Sequence, residues 1–251
     1  MTGSDELVSL GYLSPARAHW LQAHLRPMPH ALSGRLLWPS AQATCSERSQ
    51  WLAEVLERAR QQDLVSGWRN ELYAWWPQPA IPPTMERAPA FVAERAGFRH
   101  LGLLSHAVHI HGFLPHGDLW CARRSMDKAT DPGLLDNLAA GGLAAGEDPL
   151  QAAVRELHEE AGLIIEATRL VYKGSARTCR VEPEGWHDER LLVFNLTLHP
   201  NESPRNLDGE VEGFECLTPV QWLARLRHGQ FTADAAAALV CGLGMTSTSI
   251  S

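Results

Sequence analysis

The chain lacks a long apolar run, a cysteine framework and an excess of positive charge, and each absence removes a class of function. No window approaches the ~18 consecutive apolar residues of a membrane span. The opening residues, MTGSDELVSLGYLSP, carry neither the basic segment nor the apolar core of a secretory leader. A cytoplasmic protein with no membrane partner is expected. Cys45, Cys121, Cys179, Cys216 and Cys241 are odd in number and far apart, with no Cys-x-x-Cys pair, which suits reduced thiols and argues against disulfides or zinc. With 22 Lys and Arg against 29 Asp and Glu, the formal net charge is -7 and the pI is about 5.9. A nucleic-acid backbone or an anionic membrane would need a basic footprint, so neither is the main partner. A small anionic metabolite held through a metal is compatible with that charge. There is no internal repeat or low-complexity tract. What is present is an ordinary globular composition, 45% hydrophobic and 20% charged over 251 residues, enough for one sizeable core and a small second unit.

The first hundred residues have a texture of their own. Six of the nine tryptophans lie there, among a helical pattern at Ser46 to Gln61 and a strand-like NELYAWW at Asn70 to Trp76. This reads as a small α/β domain over residues 1–102, with Pro77 to Pro89 as a boundary segment. From residue 103 to 251 the reading is strand-rich: Ser105 to Leu114, Leu119 to Arg124, Leu138 to Leu143, Leu170 to Gly174, Arg190 to Leu198 and Glu210 to Leu217. Helices at Pro219 to Leu226 and Ala233 to Leu243 close the chain. The arrangement suits a mixed sheet with helices on both faces.

Gly141 to Leu163, GGLAAGEDPLQAAVRELHEEAGL, is the most informative segment. It satisfies G-x5-E-x7-R-E-U-x-E-E-x-G-U, with U aliphatic, at every specified position. At average residue frequencies that match has a probability on the order of 10⁻¹⁰ per starting point. Asp148, Pro149 and Gln151 suit the N-cap, N1 and N3 positions of a helix starting at about Pro149. Leu150, Ala153, Val154, Leu157 and Ala161 form an apolar stripe that must face a core, and Gly162 is the natural stop.

At roughly 100° per residue, Glu156, Glu159 and Glu160 share one arc of about 100° beside that stripe. Three carboxylates in one patch repel one another, and Mg²⁺ or Mn²⁺ relieves this, taking oxygen ligands while keeping waters and substrate phosphates in its other positions. Arg155, four residues before Glu159, is placed to pair with it and orient it, leaving Glu156 and Glu160 for metal.

This segment is the Nudix box, and following a strand it makes the chain resemble a Nudix hydrolase, which implies an α/β/α sandwich over about 103–245. AVHIHGF (107–113), LWCARRSMDKATDPGLLDNLAAGG (119–142), DGEVEGF (208–214) and FTADAAAALV (231–240) are similar to the Nudix proteins related to thiamine pyrophosphokinase. In that group the Nudix domain follows an N-terminal region of its own type, which WRNELYAW resembles. The resemblance implies divalent metal on Glu156, Glu159 and Glu160, with Gly141 and Glu147 shaping the loop. It also implies hydrolysis of thiamine diphosphate, or its oxidised analogues, to the monophosphate. The chain departs from the common form in having Ala140 before Gly141 and Gly142 inside the loop.

The expected reaction is metal-assisted attack of water on a diphosphate phosphorus, with a box glutamate or Glu210 as base and Glu210 as an added metal ligand. Substrate contacts are expected from Gly141 and Gly142 in the loop, from one of Arg123 and Arg124, and from Lys128. His109 and His111, on one strand face, are candidates to line the pocket, and Trp120 and Trp186 to stack on a heteroaromatic ring. Glu212 is a further late candidate ligand. Three rivals share the fold. A nucleotide-sugar or ADP-ribose pyrophosphatase would use the same box. PGLLDNLAAGG is also similar to isopentenyl diphosphate isomerase, whose chemistry needs an acid beside the sheet where Ala139 and Ala140 offer none. A non-catalytic nucleotide sensor would tend to lose box carboxylates, and here all remain. The N-terminal unit is open between shaping the pocket and forming a homodimer.

Overall fold

The computed structural model describes residues 7–24, 30–32, 35–39, 43–77, 88–127, 130–207 and 211–244. The chain divides into two compact units. The first holds residues 1–105 with 144–146 and 179–189, and the second holds 106–143, 147–178 and 190–251. Most of the proline-rich segment lies outside the described residues.

The first unit runs β1 (Leu7–Tyr12), α1 (Pro15–His24), β2 (His30–Leu32), β3 (Arg35–Pro39), α2 (Cys45–Gln61), β4 (Leu72–Trp75), β5 (Phe91–Glu94) and α3 (Arg95–Leu101). β1, β3 and β2 form one antiparallel sheet, and β4 and β5 pair antiparallel as a second. α2 starts where the sequence gives a reciprocal cap: the Thr44 hydroxyl accepts from Glu47 N, and a Glu47 oxygen accepts from Thr44 N. Its apolar face, Leu52, Val55, Leu56 and Ala59, is buried with Phe91, Phe98 and Leu101. Trp75 stacks on Phe91 with centroids 5.2 Å apart. The helix and strand expected at Ser46 to Gln61 and Asn70 to Trp76 are present as α2 and β4.

The remaining elements are β6 (Leu104–Phe113), β7 (Leu119–Arg124), β8 (Leu135–Asp136), β9 (Ala139–Gly142), α4 (Pro149–Ala161), a 3-10 turn at Ala167–Arg169, β10 (Val171–Glu182), β11 (Gly185–Thr197), β12 (Val211–Leu217), α5 (Pro219–Arg227) and α6 (Ala233–Gly242). The sheet order is β10-β11-β6-β7-β12. β6 and β7 pair directly only at Gly112 with Trp120 and Phe113 with Leu119. Beyond that point they diverge, and the chain enters the fork as β8 along β7, turns at Asn137 and Leu138, and leaves as β9 along β6. β11 runs parallel to β6, as His111 bonding Asn195 and Leu198 N donating to Phe113 O show. The sheet is therefore mixed.

Alternation along the strands sends side chains to two layers. Val108, Ile110, Leu192, Phe194 and Leu196 pack with Ala152, Ala153, Leu157 and Ala161 of α4. Leu119, Cys121, Leu191 and Val193 pack with α5 and α6 on the other face. This is the α/β/α sandwich expected from the box. Two details differ. β10 runs to Glu182, well past the expected Gly174, because its polar alternation SARTCRVE resembles a loop until it is paired with β11. In α4 the buried face includes Ala152 and Glu156, while Leu150 is 36% exposed; the face is turned so that a carboxylate lies inside the apolar layer.

Candidate active site

α4 begins at Pro149, whose missing N–H costs nothing at that position. The Asp148 carboxylate accepts from Leu150 N at 2.9 Å and Gln151 N at 3.3 Å. Gly162 ends the helix in the left-handed region at φ 64°. The boundaries read from the sequence are therefore those of the structure.

Arg155 is the centre of the site. Its Nε donates to Glu147 Oε1 at 2.8 Å and its Nη2 to Glu147 Oε2 at 3.1 Å, a forked pair that only a guanidinium makes. Nη1 donates to Glu156 Oε1 at 2.6 Å and to Glu159 Oε2 at 3.0 Å, and Nη2 reaches Gly142 O at 3.4 Å. The Glu147 bonds, with the charges of Glu156 and Glu147, hold Arg155 protonated above its ordinary range against partial burial. The sequence expectation paired Arg155 with Glu159 alone and left Glu156 free. In the structure the arginine binds Glu156 too: with Nε and Nη2 on Glu147, Nη1 bonds both Glu156 and Glu159.

Glu156 is 8% exposed. Burial raises its pKa, Arg155 opposes that shift, and the charges of Glu159 and Glu147 add to it. Its carboxylate lies against Gly141, where any Cβ would collide with Oε1 and Cδ. Cross-strand pairing of Gly141 with Val108 puts that position on the α4 face of the sheet. Glu160 is held differently, Oε2 accepting from Ala140 N at 2.9 Å, so the alanine that departs from the common glycine pair supplies a backbone donor. Glu159 is the outermost of the three, its side chain 52% exposed.

Arg123, Arg124, His109 and His111 have partners of their own. Arg123 Nε donates to Glu215 Oε1 at 2.5 Å and Nη1 to Gly133 O at 2.7 Å. Arg124 Nε and Nη2 donate to Thr130 O at 3.1 and 3.0 Å, and Nη1 to Asp136 Oδ2 at 3.2 Å. Alternation does send the two arginines to opposite faces, yet both hold the β7–β8 loop. His109 and His111 share a strand face, as expected, but it is the α6 face, and they are 4% and 0% exposed. His109 Nδ1 meets Asn137 Oδ1 at 2.7 Å, and His111 Nδ1 meets Asn195 Oδ1 at 3.0 Å. The amides of these asparagines donate to Ala235 O at 3.5 Å and Gly242 O at 3.2 Å. Each asparagine thus presents its oxygen to a histidine whose Nδ1 carries the proton. Burial pushes His111 down to about 4.

Trp120 packs on the edge of the α4 layer, and the Trp186 ring lies 5.4 Å from Tyr12 in the first unit. Glu212 is exposed on β12. Lys128 and Glu210 lie outside the described residues. Two contributions went unread in the sequence: Glu147 as the principal partner of Arg155, and the Ala140 amide. The first had a signal, an acid eight residues before an arginine across a helix start; the second, being backbone, had none.

The description NUDIX domain matches residues 106–239. Among curated proteins, Nudix hydrolase 24, chloroplastic, of Arabidopsis thaliana is 30% identical over 198 residues, 77% of this chain and 53% of the relative. Nudix hydrolase 20, chloroplastic, of the same plant is 32% identical over 189 residues, 74% of this chain and 49% of the relative. The chain thus spans about half the length of these curated relatives. The crystal structure of DR0079 from Deinococcus radiodurans is 28% identical with a TM-score of 0.44, covering 54% of this chain and 80% of that one. A domain match over more than half of the residues, with every specified box position filled and the box helix packed on a mixed sheet, establishes that the chain belongs to the Nudix family.

Proposed function

We propose that this chain is a divalent-metal-dependent pyrophosphohydrolase that cleaves the diphosphate linkage of a small metabolite, and that its substrate is thiamine diphosphate or an oxidised analogue, released as monophosphate and phosphate. The observation that carries the hydrolase reading is the Glu156 carboxylate, buried against Gly141 and held with Glu147 and Glu159 by one guanidinium. Such a set is costly to leave as bare negative charge, and its donors are all hard oxygens, which fits Mg²⁺ or Mn²⁺. When bound to Glu156, Glu159 and Glu160, the ion supplies neutralisation of the diphosphate oxygens and acidification of water.

The chain's own residues supply geometry. Arg155 keeps three carboxylates in register, and the Ala140 N–H fixes one oxygen of Glu160. A box glutamate takes the proton of the attacking water as a P–O bond to the leaving phosphate breaks. The substrate assignment rests on the similarity of residues 107–113, 119–142, 208–214 and 231–240 to the thiamine-related Nudix group. A nucleoside-diphosphate derivative is the alternative outcome.

The test is phosphate and monophosphate release with Mg²⁺ from thiamine diphosphate, its oxidised analogues, ADP-ribose and common nucleotides, with Glu159→Gln as control. Preferential cleavage of the thiamine compounds, abolished in the control, supports the reading. Cleavage of nucleotides alone replaces the substrate, and absence of any hydrolysis overturns the activity.

A further inference from the structure

The box loop runs from Gly141 to Glu147, and three of its residues, Ala144 to Gly146, belong to the first compact unit. Within that unit Ala145 N donates to Leu72 O at 2.7 Å. Leu72 opens β4, in register with Glu94 of β5. The stretch leading into it is unusually constrained. The carboxylate of Glu94, 5% exposed, accepts from Arg69 N at 2.9 Å and from Glu71 N at 3.1 Å. Arg95 N donates to Glu71 O at 2.9 Å, and Arg95 Nη1 meets Glu71 Oε2 at 2.7 Å. A buried carboxylate accepting two amide protons is a stiff bracket, since letting either go leaves a buried group unsatisfied. The Leu72 carbonyl therefore projects from a part of the fold with little freedom.

Upstream in the loop, Leu143 N donates to His106 O at 2.9 Å. Ala145 and Gly146 form a turn with Gly146 at φ 82°, and nothing lies within 4 Å of the place a Cβ would take there. One residue further on is Glu147, which holds Arg155 by its fork and, through Arg155, Glu156 and Glu159. A displacement of Ala145 passes along two peptide bonds to Glu147 and from there to the carboxylates. Arg155 bonds two of those carboxylates directly, and groups that orient metal ligands commonly matter to a site almost as much as the ligands do.

We propose that the Leu72 carbonyl is a positioning group: through the Ala145 N–H it fixes the turn of the box loop and, along the chain, the place of Glu147. This rests on the metal-site reading above.

The turn offers a clean variant. A turn whose second central residue has φ near 80° accepts proline at its first central position, so Ala145→Pro suits the turn while it removes the N–H and sets the ring Cδ against the Leu72 oxygen, which parts the two. Ala145→Gly keeps the N–H and serves as the matched control. Three readouts are taken on the full chain: Mn²⁺ affinity by electron paramagnetic resonance, hydrogen exchange across residues 143–147, and the thermal midpoint. Ala145→Pro is expected to weaken Mn²⁺ binding about tenfold and speed exchange in the loop, with the midpoint nearly unmoved, while Ala145→Gly binds as the parent does. Equal Mn²⁺ affinity in the proline variant and parent overturns the proposal. If the proline variant does not fold, the parent decides alone: its Ala145 amide is expected to be protected from exchange, and fast exchange there overturns the anchor. A parent that binds no Mn²⁺ overturns the metal-site reading, an outcome distinguishable because exchange at Ala145 is read in the metal-free protein.

Discussion

Gly141 and Glu156 share one space: the carboxylate of Glu156 occupies the volume that a side chain at position 141 would need. Gly141→Ala must push the carboxylate aside or part β9 from α4. A misplacement of about 1 Å at a reacting group can lower a rate by about a hundredfold, and that is the loss in kcat expected here, with weaker Mn²⁺ binding beside it. Steady-state kinetics and a metal titration check it. Parental kcat in the variant would mean that Glu156 has another working position.

Arg155→Lys keeps the charge and loses the fork. One ammonium cannot span both oxygens of Glu147 while reaching Glu156, Glu159 and the Gly142 carbonyl. Metal affinity or turnover should fall about 10–100-fold, with circular dichroism unchanged. A lysine variant with full activity would show that charge alone suffices.

His111 gives a pH dependence that does not involve the box. Its folded pKa lies at about 4, below the ordinary 6.5, because burial disfavours the charged ring. The unfolded chain therefore binds a proton that the folded chain refuses. The stability associated with the neutral ring is intact above pH 6.5 and lost as the pH falls from 6.5 toward 4, up to about 3 kcal/mol. Urea unfolding at about pH 7.5 and about pH 5 should show a smaller pH dependence in His111→Gln than in the parent. His100, also pushed down to about 4 by burial, remains in both proteins. Equal dependence in the two would remove His111 as a source.

What was legible in the sequence was local. The cap, proline and glycine of α4 act within a few residues of themselves, so its ends were readable, as was β7 at Leu119 to Arg124 with turn residues on both sides. What was hidden depends on partners far along the chain. β10 looks like a loop until β11 lies beside it. Glu156 reads as one of three equal carboxylates on a helix, and only the turn of α4 against β9 makes it the buried one. His109 and His111 were readable as sharing a face, but which face depends on how β8 and β9 fill the fork. Asn137 and Asn195, which fix the protons on those rings, lie 28 and 84 residues away from them. The arginines at the end of β7 carried a phosphate-like signal, yet nearby loop carbonyls and Glu215 and Asp136 use that hydrogen-bonding capacity.

The first unit is not a continuous length of chain, since residues 144–146 and 179–189 join residues 1–105 in it. Its boundary with the second is crossed by the polypeptide at five places rather than one. Such a chain has no single scissor point. A fragment beginning at residue 106 would carry the whole box in its sequence while leaving three loop residues and a strand hairpin without the neighbours they fold with. For the same reason the two units are poorly suited to recombination as separate cassettes: the first takes part of itself from sequence that a linear boundary would assign to the second.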